Sequence, residues 1–237
     1  MELIVNADDF GLTKGVVDGI IFGYENGIIR STTALCNSKY LEYGAQKAKE
    51  YDGLAIGVHL VLTLGKSITE NSTLTDGNGN FYSRTELDAK QLDEVELYNE
   101  WKAQILRYIT VFGKNPSHLD SHHSVHDMCE VSKNVSTKLA KEFGLEFRRN
   151  GKYTFINNFY GESATVDNFI NILKENKGCK IEVMCHPAFN DTELMEISSY
   201  NANREKELAV LCDEKVKQYI AENCISVINY QNGKGVK

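Results

Sequence analysis

The chain has 237 residues, 42% hydrophobic and 25% charged, proportions that exclude intrinsic disorder and suit one large α/β domain or two small ones. With 33 acidic against 26 basic side chains the formal charge is −7, which argues against a nucleic-acid partner, because phosphate binding draws on clustered Lys and Arg. No run approaches the roughly 18 apolar residues of a membrane span.

The start, MELIVNADDFG, lacks the basic segment and the apolar length of a signal peptide. The six cysteines (Cys36, Cys129, Cys179, Cys185, Cys212 and Cys224) form no Cys-x-x-Cys pair. Free, mostly buried thiols in a reducing cytoplasm are therefore expected. Short runs rich in Val, Ile and Leu predict strands near 3–7, 32–36, 55–60, 117–121, 145–148, 181–186 and 225–229. Segments with helical spacing lie between them, at about 15–27, 38–50, 91–113, 127–144, 164–176 and 203–222. In the third of these, Trp101, Ile105, Tyr108 and Phe112 form one apolar face, whose default role is core packing. Pro116 and Pro187 are the only prolines and no low-complexity linker interrupts the chain, so a single domain over 1–237 is expected. Repeated β-α units imply a parallel sheet covered by helices, either open and doubly wound or closed as a barrel. Both architectures place chemistry at the C-terminal ends of the strands.

The first strand ends on Asp8 and Asp9. Burying two adjacent carboxylates is expensive unless positive charge lies beside them. A divalent cation would supply it, with Asp9 as a ligand and Asp8 free to accept a proton from water. The competing reading makes Asp9 a turn residue and Asp8 the cap of the next helix. His59 is a lone polar residue in the apolar third strand, a core histidine if taken alone and a second ligand if Asp9 is the first. The segment 63–90, rich in Gly, Asn, Ser and Thr, is a candidate substrate loop or lid.

All six histidines fall at or just after predicted strand ends, four of them within HLDSHHSVH, 118–126. Residues 118, 120 and 122 would share one side of an extended strand. If a helix instead begins near Ser121, His122 and His126 would share a face. His122 suits either geometry and is the third candidate ligand. Asp120 can orient a ligand imidazole, and His126 is a candidate substrate or supporting contact. His118 and His123 are read as packing or hydrogen-bonding residues. One carboxylate and two imidazoles leave positions open for water and substrate, a catalytic arrangement. By ligand type, zinc, cobalt, nickel or manganese suits them better than magnesium. His186 closes the sixth strand and is a candidate general acid. Neighbouring Cys185 is set aside as a nucleophile because no third orienting group is evident. The run SSYNANREKEL reads as a helix start with a solvated charged face.

NADDFG, STTALCN, AIGVHLVLT, FGKNPSHLDSHHSVH and CHPAF together resemble the YdjC-like carbohydrate deacetylase family. The resemblance covers about residues 3–189. It implies a barrel-like β/α fold of the distorted TIM-barrel type, akin to polysaccharide deacetylases, with about seven mostly parallel strands. It also implies metal-dependent removal of an acetyl group from N-acetylglucosamine-containing oligosaccharides of the chitobiose type, with or without a 6-phosphate. The implied metal is Mg2+ and the implied assembly a homodimer. The family's ligands map to Asp9, His59 and His122, its base to Asp8 and its acid to His186. Where family members often carry a third successive histidine, this chain has Ser124. The rival readings are a metal-dependent hydrolase of another ester, amide or phosphoester, and a sugar-binding homologue without catalysis.

Overall fold

The structure, a computed structural model, describes residues 1–88, 90–149 and 151–231. Residues 232–237 of the expected domain and Ala89 of the 63–90 segment lie outside these. The sheet is built on β1 (Glu2–Phe10), whose residues from Leu3 onward are all buried, as a parallel strand covered on both faces must be. Around it lie β2 (Ser31–Ala34), β3 (Ala55–Leu60), β4 (His118–Ser121), β5 (Glu146–Phe147), β6 (Thr154–Ile156) and β7 (Lys180–Cys185), in the order β5-β4-β3-β2-β1-β7-β6. Every pairing is parallel. The eighth strand, β8 (Ser226–Ile228), pairs with Glu2–Ile4, residues that also pair with β7. It therefore occupies the edge of β1 that β2 takes further along, at Asn6, Ala7 and Phe10.

Arg148, directly after β5 at one edge, reaches Glu182 on β7 at 2.7 Å. Its guanidinium carbon also lies 5.0 Å from the ring centre of Phe155 on β6, the opposite edge. The sheet is thus curled until its edges face each other, an incomplete parallel barrel. This agrees with the expected barrel-like α/β class.

Helices α1 (Lys14–Asn26), α2 (Leu41–Ala48), α3 (Arg84–Asp88), α4 (Glu94–Phe112), α5 (Glu130–Phe143), α6 (Val166–Glu175), α7 (Thr192–Ile197), α8 (Ala202–Leu211) and α9 (Glu214–Glu222) lie between the strands. The apolar face of α4 packs as expected: Trp101, Ile105 and Tyr108 are fully buried, and Phe112 stacks on Tyr108 at 4.2 Å. Trp101 Nε1 donates to Val61 O and the Tyr108 hydroxyl to Ile56 O, which fixes α4 to β3 and the residue just past it. Thr13, not Asp8 or Asp9, caps α1, accepting from the Val16 amide at 3.3 Å. A Cβ on Gly19 would come within 2.6 Å of Ala188 Cα, so α1 and the segment after β7 meet backbone to backbone.

Four local expectations are corrected. The three-residue strand β6 was not expected, since its sequence carries too little apolar pattern. The helix expected over 203–222 is broken at Cys212–Asp213, where the Asp213 carboxylate caps α9 by accepting from the Lys215 amide. The short α3 and α7 fall outside the expected helices. Of the cysteines, all free, Cys36 and Cys185 are buried while Cys179 and Cys224 are exposed. Among the described residues no helix is long and apolar enough to cross a membrane.

Candidate active site

The chemistry-bearing residues gather at the C-terminal rim of the sheet. The pairing of β1 with β2 shifts register between Ala7 and Phe10, and Asp9 takes a φ of 70°. Left-handed backbone in a non-glycine residue costs of order 1–3 kcal/mol and persists only where the surroundings enforce it. Here it accompanies a divergence of the two carboxylates, Asp8 to Arg148 and Asp9 to the histidines.

Asp9 Oδ1 lies 3.0 Å from His122 Nδ1 and 3.3 Å from His59 Nε2. One ligand atom from each of Asp9, His59 and His122 falls within 4.8 Å of the others. These residues are separated by up to 113 positions in sequence, and the curled sheet brings them together. His59 presents its other nitrogen, Nδ1, to Asp120 Oδ1 at 2.7 Å. The second oxygen of Asp120 accepts from Thr33 Oγ1 at 2.9 Å and lies 3.0 Å from Arg148. Burial opposes charge on His59, but Asp120 and Asp9 outweigh it and raise the imidazole to about 10.

Asp8 receives a two-pronged bond from Arg148, at 2.6 and 2.7 Å, and a further bond from Asn6 Nδ2 at 2.9 Å. Burial alone would raise the Asp8 pKa; the Arg148 guanidinium reverses this and holds it below the usual carboxylate range. His186 is also deep in the site. Its backbone amide donates to Glu207, its ring meets Tyr160 and Tyr200 edge-on, and burial brings its pKa down to about 4. Among the described residues its Nδ1 has no hydrogen-bond partner. Cys185 faces away, its thiol bonded to Asn6 O at 3.3 Å and pushed up by burial.

A cavity of about 420 Å³ is lined by Asp8, Asp9, His59, His122, His186 and Arg204, with His123 and Ser124 on one side and Tyr160 and Tyr200 on another. Among the described residues of the 63–90 segment only Leu64 lines it. Part of that loop is anchored to α4: Glu100 accepts from the amides of Ile68 and Thr69, and Glu96 from those of Ser72 and Thr73. His126 does not line the cavity. It bonds Ser121 and packs edge-on against Phe147. The left-handed His123 and Ser124 interrupt the turn between His122 and His126, so the two share no face. His118 bonds Asn6 Oδ1 at 3.0 Å and stacks on Tyr230.

Three charged residues of the site escaped the sequence reading. Arg148 follows a two-residue strand in an unremarked Arg-Arg pair. Arg204 and Glu207 belong to the run read as a solvated face; that reading is overturned, since they are 3% and 0% exposed. Arg204 Nη2 bonds Asp9 Oδ2 at 2.7 Å. Leu208 and Leu211, at four and seven positions from Arg204, are the only sequence signal that its face of α8 is buried.

A curled parallel sheet with acidic and imidazole side chains converging at its carboxyl rim is the arrangement of a β/α-barrel enzyme site. The family model described as YdjC-like protein matches residues 2–222, and the chain belongs to that family. It is 37% identical to a carbohydrate deacetylase of Clostridium beijerinckii, with 98% of this chain and 100% of that protein aligned. It is 38% identical to a carbohydrate deacetylase of Vibrio parahaemolyticus, over 97% of this chain and 95% of the other. A crystal structure from Enterococcus faecalis, provisionally described as a cellobiose-phosphate cleavage protein, superposes with a TM-score of 0.91 at 34% identity, covering 97% of both chains. A family 4 carbohydrate esterase from Streptomyces lividans, solved with acetate, shares the fold at a TM-score of 0.56 and 14% identity, covering 99% of this chain and 96% of that one.

Proposed function

We propose that the single domain expected over 1–237 is a metal-dependent carbohydrate N-deacetylase. Its substrates are N-acetylglucosamine-containing oligosaccharides of the chitobiose type, with or without a 6-phosphate, and it acts in the cytoplasm as a homodimer. The observation that carries the reading is the convergence of Asp9, His59 and His122 in a cavity that also holds Asp8 and His186. The carbohydrate deacetylases among its relatives support the substrate class.

The donor set fits a divalent cation that displaces the proton of His59: one carboxylate oxygen and two imidazole nitrogens face each other, and Asp120 then holds the Nδ1–H tautomer of His59 from behind. Two nitrogens and one oxygen favour Zn2+ or another transition ion by ligand type, whereas the family resemblance implies Mg2+. When bound, such a cation supplies Lewis-acid charge that polarises an acyl carbonyl and acidifies water. Arg148 keeps Asp8 ionised and fixed in direction, at the cost of some basicity, and Asp8 is the acceptor of a proton from the attacking water. His186 gives a proton to the departing nitrogen. Burial outweighs the pull of Asp8 and Asp9 and lowers its pKa to about 4, so it holds that proton only in passing and releases it readily.

The test is acetate release from diacetylchitobiose and its 6-phosphate, beside acetyl esters and phosphoesters, with metal analysis of the purified protein. Asp8→Asn is expected to retain metal and lose turnover by about 10²–10⁴-fold, the usual size of a general-base contribution. Full activity in that variant would overturn the base assignment.

A further inference from the structure

Resting on the proposed deacetylation, we propose that Arg204 is a further catalytic residue. Its Nη1 donates to the acyl oxygen of the substrate and then to the carboxylate of the departing acid.

Arg204 is 3% exposed and lines the cavity. Its Nε donates to Tyr200 O at 2.8 Å and its Nη2 to Asp9 Oδ2 at 2.7 Å. A guanidinium is planar, so these two bonds fix where Nη1 points. Among the described residues that Nη1 is buried and has no partner. An arginine serving only structure need not leave such a gap: Arg30 Nη1 meets the carbonyls of Tyr24, Gly27 and Ile29. A buried cationic donor left unmet costs free energy that an anionic oxygen would recover.

Among the described residues, His186 also lines the cavity and also has a buried nitrogen without a partner, Nδ1. An amide answers both, with an oxygen that accepts from Nη1 and a nitrogen that takes a proton from the imidazole. In hydrolysis the water oxygen bonds to the carbonyl carbon and the C–N bond breaks. Both water protons end on nitrogen as the ammonium, and the original carbonyl oxygen leaves as one oxygen of the carboxylate. That oxygen gains charge at the tetrahedral stage, where a charge-assisted bond from Nη1 is strongest.

The probe is acetate. Protein loaded with Zn2+ is titrated with acetate while the guanidinium ¹⁵N–¹H signals of Arg204 are followed; product inhibition and zinc content are measured in parallel. In the wild type the Arg204 signals are expected to shift. In Arg204→Gln the acetate inhibition constant is expected to rise at least about tenfold and kcat to fall about 10²–10³-fold, as for loss of one oxyanion donor, with zinc content kept. Arg204→Ala is expected to regain turnover on addition of guanidinium ion. Unmoved Arg204 signals in the wild type overturn the proposal even where a variant does not fold. So does an Arg204→Gln protein that keeps its acetate affinity but loses zinc, since Arg204 then only holds Asp9. Arg204-dependent acetate binding without acetate release from any acetylated sugar would overturn the deacetylase reading and leave the carboxylate site standing.

Discussion

Replacing Arg148 with methionine takes one positive charge from among three carboxylates. Arg148 is 2% exposed and lies 2.6 Å from Asp8, 3.0 Å from Asp120 and 2.7 Å from Glu182. Methionine keeps much of the volume and none of the charge, so the perturbation is electrostatic. Removing one partner of a buried ion pair costs about 3–5 kcal/mol. Donors that remain on the carboxylates, Asn6 on Asp8, Thr33 on Asp120 and Tyr230 on Glu182, hold the loss within that range rather than above it. At about 2–4 °C per kcal/mol for a chain of this size, Tm should fall by roughly 6–20 °C. Urea unfolding followed by the fluorescence of buried Trp101 and by circular dichroism gives the free energy directly. The pH dependence carries a second signature. In the wild type the Asp8 pKa is depressed, so its stabilisation is present above the unfolded-state value and is lost as pH falls through the folded one. Without Arg148, burial raises the Asp8 pKa and the sign reverses. The deficit of the variant is then largest near about pH 8 and shrinks toward about pH 5. A loss under about 1 kcal/mol, or a deficit independent of pH over that range, refutes the reasoning.

Asp120→Asn should weaken metal affinity about 10–100-fold, because His59 loses the carboxylate that orients it; equilibrium dialysis measures this, and unchanged affinity removes Asp120 from the proposed metal centre. Chelation of the wild type should abolish acetate release, and restoring the ion should recover it; activity that survives full metal removal counts against the proposed cation. Gly19→Ala should destabilise by about 1–3 kcal/mol, since the new methyl meets backbone atoms of Ala188 and Phe189 at 2.6 Å; urea midpoints decide, and a gain in stability would contradict the close approach. Glu100→Ala leaves the Ile68 and Thr69 amides without their acceptor and should speed limited proteolysis between residues 66 and 73, with cleavage at the wild-type rate as the opposing result.

Much of the scaffold could be read locally. Strands buried on both faces run apolar, so Leu3–Ile4–Val5 and Ala55–Leu60 stand out, and the apolar face of α4 follows a helical period. Aspartates or a histidine closing or interrupting such runs are costly unless paired, which is why Asp8, Asp9 and His59 were legible. His122 was legible through its cluster, although the i, i+4 partnership with His126 that a helix there would give fails where His123 and Ser124 turn left-handed. Strand β6 was not legible, because three residues carry no period and its place is set by pairing with β7. Arg204 and Glu207 looked like surface charges and nothing marked Arg148 in its expected strand, since local sequence records the cost of burying a charge but not the partner that offsets it. Arg204 finds Asp9 across 195 residues and Arg148 finds Asp8 across 140. Sequence by itself determined the parallel α/β scaffold and the polar residues at its rim, because burial and periodicity are properties of short segments. Only the curling of the sheet decided which charges meet, because Coulomb partners are chosen by distance in space.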